Sequence, residues 1–255
     1  KIEGSVIWYS WTEHEILSML SKRILTFMGI PVAEDDLKSM PLEDLARYLD
    51  HIFEATFLGY GKWENQPMYK VLLSLIRKRP RDIVKLCTLA AREAQRTGSG
   101  QICTSHFINI FEEYSHGRMQ DTVNEFRTEL PEIERLIYSL RPNKKDASQC
   151  DPFVFHTGEL TVKIGEIMKY GGFEYACGRK ATPIDLAHFL FKISFVTATK
   201  IMENGDVERK YFEDNRYFLH SAINAGYDWE VHPVYRWSLQ PDNADDIYNR
   251  IKVTI

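Results

Sequence analysis

The stretch "LIRKRPRDIVKLC", Leu75 to Cys87, decides how the first half of the chain is read. Arg77, Lys78 and Arg79 stand just before Pro80, and Arg81 just after it. Proline suits the first position of a helix, where its missing N–H would have no partner anyway. A helix is therefore expected from Pro80 to about Arg96, ended by the glycines of "RTGSG", Gly98 and Gly100. Arg77, Lys78 and Arg79 read as cations that close the preceding helix, where they complement the negative end of its dipole. Arg81 does not fit that explanation, because it stands at the positive end of the new helix. Asp82 or an acid from another helix could balance it. So could an anion gathered by the free N–H groups of the helix start and gripped by the arginine fork.

Helical periodicity extends on both sides of this stretch. Thr12 caps a helix, with Glu15 completing a capping box, and Ile16, Leu17, Leu20, Ile24 and Leu25 follow helix spacing. "GIPVAEDD" breaks that helix at Gly29 and Pro31. A second helix is expected from Pro41 to Phe57, with Leu42, Leu45, Leu49, Ile52 and Phe53 on one side. "GYGKWENQP" reads as a loop and Met68 to Ile76 as a short helix. Beyond the quoted stretch, a helix starts near Thr104, with a break expected near Gly117. "LPEIERLIYSL" places Ile133, Leu136, Ile137 and Leu140 on one helical face.

"RPNKKDASQCDP", Arg141 to Pro152, is polar and interrupted by prolines, so a domain boundary is placed there. The second half changes character. Helices are expected at Leu160 to Tyr170 and Pro183 to Phe191, the latter capped by Thr182 with Asp185 beside it. Strand-like runs follow in "KISFVTATK", "RKYFEDNRYFL" and "WEVHPVYRW", with an Asn-Gly turn signal in "ENGD" between the first two. The fold class is mainly α with a small α+β part. Its outline is a helical bundle followed by helices and a β-hairpin, the pattern of a winged-helix domain.

Composition excludes several function classes. The chain has 255 residues and a net charge of −4, from 32 basic and 36 acidic side chains, so no global basic excess recruits nucleic acid or an anionic membrane. No apolar run approaches the roughly 20 residues needed to span a bilayer. The opening "KIEGSVIWYSW" lacks the layout of a signal peptide and begins in a strand-like segment, Ser5 to Tyr9, without methionine. The chain thus reads as part of something longer. Cys87, Cys103, Cys150 and Cys177 form no CxxC pair, which argues against zinc and for reduced thiols in a cytoplasmic protein.

No GxxxxGK[ST], GxSxG or HExxH motif occurs. "HTGE", His156 to Glu159, is better explained as a loop entering a helix than as a metal or hydrolase fragment. His232, in "EVHPVYRW", has no partner acid or nucleophile at motif spacing and reads as a structural histidine. The neighbouring Tyr227, Trp229, Tyr235 and Trp237 suit base stacking or a strand facing a core. From His156 to Asp242, 10 basic residues stand against 12 acidic ones. A winged helix here is expected to contact protein rather than DNA.

"RPRDIVKLCTLAAREA" resembles the lid-domain motif of AAA+ and STAND-type P-loop ATPases, in which an arginine after a proline opens a helix. "VIWYSWTEHEILSMLSKRIL" is similar to the last core strand of such ATPases passing into the first lid helix. "EEYSHGRMQDTVNEF" and "EVHPVYRWSLQP" resemble segments of bacterial members associated with phage defence and stress. The resemblance implies the end of a core strand at residues 1–10, a helical lid bundle at 11–145 and a winged helix at 152–242. Residues 243–255 would form a tail or the start of a further segment. Arg81 would take the sensor-2 role of contacting nucleotide phosphate, with Pro80 opening the helix. ATP with Mg would be held together with a core domain, since the Walker motifs are absent from these 255 residues. The implied partners are an N-terminal ATPase core or partner subunit, and a homo-oligomer or effector-protein complex. Nucleic acid is disfavoured by charge, and no membrane is implied. Two alternatives stay open: a DNA-binding module of an initiator-like ATPase, and a non-catalytic adaptor in which Arg81 forms only a salt bridge.

Overall fold

The computed structural model describes residues 10–142, 151–156, 158–201, 207–212, 227–240, 244–251 and 253. They are mostly helical, with a small antiparallel sheet. The chain divides into two compact units, Lys1–Ile110 and Phe111–Ile255. Most of the polar stretch at which the sequence places a boundary, residues 143–150, lies outside the described residues. The expected strand at Ser5 to Tyr9 and the "ENGD" turn lie outside the described residues. No helix among the described residues is long and apolar enough to cross a membrane.

The first unit begins with α1, Glu13–Phe27. Its capping box is complete: Glu15 N–H donates to Thr12 Oγ1 at 3.1 Å, and Thr12 N–H donates to the Glu15 carboxylate at 2.8 Å. Two orphan donors of the first turn are thereby satisfied. The expected apolar face, Ile16, Leu17, Leu20, Ile24 and Leu25, is buried. The chain reverses at Gly29, whose φ of +72 suits glycine, and continues into α2, Glu34–Ser39, and α3, Leu42–Arg47.

The helix expected from Pro41 to Phe57 therefore ends early. A 3-10 turn, Leu49–His51, follows α3. The backbone then leaves helical geometry to pair with a distant segment: Ile102 N–H donates to Ile52 C=O and Glu54 N–H to Ile102 C=O, at 2.9 and 3.0 Å. That excursion places the Glu54 carboxylate at the start of α6, Thr104–Phe126, where it accepts from Thr104 N–H and Oγ1 at 2.8 and 2.7 Å. Capping a long helix by a carboxylate from elsewhere outweighs continuing a short one.

"GYGKWENQP" is the tip of a hairpin joining β1, Thr56–Phe57, to β2, Gln66–Pro67. Trp63 is buried against the edge of Phe57, with ring centroids 5.7 Å apart. A Cβ at Gly59 would fall 2.0 Å from the Phe57 ring, so only glycine passes there. Helices α4, Met68–Ser74, and α5, Pro80–Arg96, complete this part of the chain. The α6 helix runs unbroken through Gly117. A helical glycine costs about 1 kcal/mol. Tyr114, Arg118, Met119 and Val123 are all buried around it, and that burial outweighs the cost.

The second unit contains α7, Ile133–Tyr138, β3, Val154–Phe155, α8, Glu159–Met168, and α9, Pro183–Lys192. Strands β4, Val196–Ile201, β5, Val207–Lys210, and β6, Asp228–Val231, form a sheet with β3 in the order β3-β6-β4-β5. "WEVHPVYRW" is a strand only as far as Val231. Pro233–Tyr235 then forms a 3-10 turn and Arg236–Leu239 a short helical turn. The last thirteen residues include a helix, Ala244–Arg250.

One face of this sheet is polar yet buried. Thr197 pairs with Glu230 across the β4–β6 ladder and Thr199 with Arg209 across the β4–β5 ladder, so these four residues share a face. Arg209 reaches over β4 and forks onto Glu230, with Nε and Nη2 donating at 2.9 and 3.2 Å. Arg236 donates to Glu230 from the other side, and through Nη1 to Asp151 at 2.9 and 3.2 Å. Glu230, Arg209 and Arg236 are all buried. Removing the carboxylate would take away the acid that two buried guanidiniums share, leaving Arg236 its bonds to Asp151. Glu230→Ala is expected to lower unfolding stability by about 3–5 kcal/mol, read from urea midpoints of the 255-residue chain.

Candidate functional site

The α4–α5 corner carries the residues that the sequence singles out. Helix α4 is buried except at the half-buried Lys70, and Leu75, Ile76 and Arg77 continue into the core. Lys78 then adopts φ +51, a left-handed conformation that costs a non-glycine residue about 1–2 kcal/mol. The turn lets the chain reverse direction within a few residues. Arg79 is the extended N-cap, Pro80 the first helical residue and Arg81 the second.

Arg77 is not a helix-closing surface cation. Its Nε donates to Asp82 Oδ2 at 2.8 Å, its Nη2 to Oδ1 at 3.1 Å and its backbone N–H to Oδ2 at 3.3 Å. Both side chains are fully buried. Asp82, at the third helical position, sits where a carboxylate also complements the dipole. Charge neutralisation within a fork geometry, together with the backbone donor, is what permits both groups to leave water. The Asp82 carboxylate is thus engaged by Arg77, while Arg81 lies exposed at the rim of the same helix start. At this helix start Pro80 has no N–H and the Asp82 N–H donates to Arg79 C=O at 2.9 Å, so the exposed Arg81 guanidinium is the group placed to meet an anion.

The other candidates fall into place as structural groups. His232 is fully buried. Its Nδ1 accepts from Val234 N–H at 3.2 Å, so its Nε2 carries the proton and faces Tyr211 Oη at 3.4 Å. Tyr235 packs on Phe195, with centroids 4.7 Å apart, and Trp237 on Phe111 at 5.0 Å. These rings serve the core, not base stacking. His156 stands outside α8, and its Nδ1–H donates to the Asp228 carboxylate at 3.0 Å while its backbone N–H is taken by Glu159. Sequence reasoning missed Asp151 and Glu230 as partners of Arg236, and Arg209 as the second partner of Glu230. They lie on separate elements, and no local spacing announces them.

A cleft of about 630 Å3 in the second unit runs between Glu129 and α9. Its polar groups are satisfied within the wall: Lys192 donates to Glu129 at 2.7 Å and Arg179 to Asp185 at 2.9 Å. Thr182 N–H and the Arg179 guanidinium hold the Asp185 carboxyl down at about 2. Cys177, at the cleft, is exposed. Burial pushes the Cys87 thiol up to about 12, which keeps it protonated and unreactive near neutrality. Among the described residues, no group of three or more His, Cys, Asp or Glu side chains is placed to hold a metal. No family model, curated protein or solved structure matches the chain.

Asp82→Ala leaves Arg77 buried without its counter-ion, and a loss of about 3–5 kcal/mol is expected in chemical denaturation. Arg81→Ala, at an exposed position, should stay within about 0.5 kcal/mol of the parent. The Asp228 carboxylate, by hydrogen bond and charge, raises the His156 pKa. The folded value lies above the unfolded one, so the pair stabilises below the ordinary histidine pKa, and the contribution disappears as pH rises through the raised value. An imidazole NMR titration should place the His156 midpoint above that of a free histidine, and Asp228→Asn should return it. An unmoved midpoint in the variant would remove Asp228 as the cause.

Proposed function

We propose that this chain is the nucleotide-responsive helical lid and C-terminal winged-helix region of a bacterial P-loop ATPase acting in antiviral defence. The ATPase core is supplied by a preceding segment or a partner subunit. The observation that carries the proposal is the α5 start. Pro80 opens the helix, Arg81 is exposed at its second position, and the buried Arg77–Asp82 pair anchors the turn behind it. An arginine used to sense phosphate suits that arrangement: an exposed guanidinium fork at a helix start whose base is fixed. ATP with Mg would bind mainly to the core, and Arg81 would add its contact from the lid.

The order α7-β3-α8-α9-β4-β5 in the second unit supports the winged-helix reading. The β4–β5 ladder is its wing, and β6 is an extra strand inserted between β3 and β4. In this reading the module relays lid movement to the core, to another subunit or to an effector protein. Nucleotide biases the lid only as far as it binds the two lid positions differently.

Arg81→Ala in the complete protein tests the assignment. A hydrogen bond to a charged group is worth about 1.5–3 kcal/mol, so nucleotide-dependent switching should weaken by roughly ten- to hundredfold. ATP turnover and assembly identical to the parent protein would sink the sensor role.

A further inference from the structure

Exposed apolar bulk gathers at one end of the first unit. Phe27, the last residue of α1, is 86% exposed, and Met28 and Ile30 follow it into solvent. Phe27 also stands at the end of a groove of about 720 Å3 bounded by α1 and α2. The two helices run antiparallel along this groove. His14 Nε2–H donates to Met40 C=O at 2.8 Å, and Ser18 Oγ–H to Leu37 C=O at 3.4 Å. Most charges of the walls are settled within the chain, Lys22 by Glu34 and Lys38 by Asp35. Arg23 is exposed, and among the described residues its guanidinium makes no ion pair. The buried face of α1, with Ile16, Leu17, Leu20, Ile24 and Leu25, holds the groove side outward.

We infer that this groove is the interface of a homodimer, in which α1 crosses α1 of a second copy antiparallel about a two-fold axis at Met19. The row that carries the inference is Trp11, Glu15, Met19, Arg23 and Phe27, at every fourth position, and all five line the groove. Read backwards about Met19, the row complements itself. Phe27 meets Trp11 of the second copy, Arg23 meets Glu15, and Met19 meets Met19. A two-fold interface demands such a row, because whatever one residue contacts on the second copy contacts it in return. Packing of two such every-fourth-residue ridges is the commonest class of helix crossing in globular proteins. Arg23 and Glu15 of one helix lie about 12 Å apart along its axis, so they cannot serve each other within a copy. Glu15 keeps its cap on Thr12 through Oε2, and a carboxylate has lone pairs for further donors. The aromatic ends supply affinity and the two Arg23–Glu15 contacts set direction. The inference is independent of the nucleotide-sensing role, because no residue of the α5 start lines this groove.

The test is sedimentation velocity of the 255-residue chain between about 1 and about 100 µM. The parent should pass from monomer to dimer in that range. Phe27→Asp changes an exposed side chain and should raise the dissociation constant about thirtyfold or more. Arg23→Glu sets like charges together at both ends of the crossing and should raise it about tenfold or more, while Arg23→Lys should dimerise like the parent. Circular dichroism of each variant checks that α1 is intact. Register is read separately, in a Cys177→Ser background treated with oxidised glutathione. Helix axes about 8–10 Å apart bring two residues on the two-fold axis within disulfide reach, so Met19→Cys should give a covalent dimer that the same background with Met19 does not. A dimer that Phe27→Asp and Arg23→Glu leave unchanged, or one without the Met19→Cys cross-link, overturns the inference. A chain that stays monomeric throughout overturns it too, and leaves the groove to a different protein or to residues 1–9 of this chain.

Discussion

A carboxylate taken out of water must be met by a cation and by enough hydrogen-bond donors, or the fold does not hold. Both units of this protein are organised around that requirement. In the first, Asp82 receives the Arg77 fork and the Arg77 backbone N–H, all in full burial. In the second, Glu230 lies between Arg209 and Arg236, and Arg236 passes the charge on to Asp151. Each cluster ties an irregular segment to a regular one. The Arg77–Asp82 pair pins the reversal at Lys78 to the first turn of α5. The Glu230 cluster pins the segment after β6 to the sheet.

The anchored turn explains how an arginine can stand at the positive end of a helix. Asp82 at the third position offsets the dipole from within, and Arg77 satisfies Asp82 from behind. Arg81 is then oriented outward by the helix itself. The same rotation that buries Ile83, Leu86 and Ala90 brings Lys85, Arg92 and Arg96 onto the side of Arg81. A chain whose total charge is −4 thus sets four basic residues on one exposed side of this helix, with Arg96 paired to Glu93. Net charge describes the whole molecule, and a partner meets one surface of it.

Features that close within one helical turn were legible before any coordinates. The capping boxes Thr12/Glu15 and Thr182/Asp185, the Pro80 start and the glycine reversals at Gly29 and Gly98 all stand where the sequence places them. Features that depend on a distant partner were not. The helix through Ile52 and Phe53 gives way because Ile102 pairs with that backbone and Glu54 caps α6. Gly117 stays helical because buried neighbours outweigh its intrinsic cost. From sequence Arg77 reads as a dipole-compensating surface charge, because nothing local distinguishes a buried arginine from an exposed one.

The candidate site divides along the same line. Sequence by itself determined the amphipathic helix from Pro80 to Arg96, with Arg81 at its second position, since proline geometry and a short apolar period suffice for that. Tertiary structure decided that Arg77 is spent on Asp82, that His232 and Tyr235 are core groups, and that Arg209, Glu230, Arg236 and Asp151 meet. Local signals act over three or four residues, through backbone hydrogen bonds that reach no farther. Burial and charge pairing join residues that lie far apart along the chain, and only the folded chain brings them within reach.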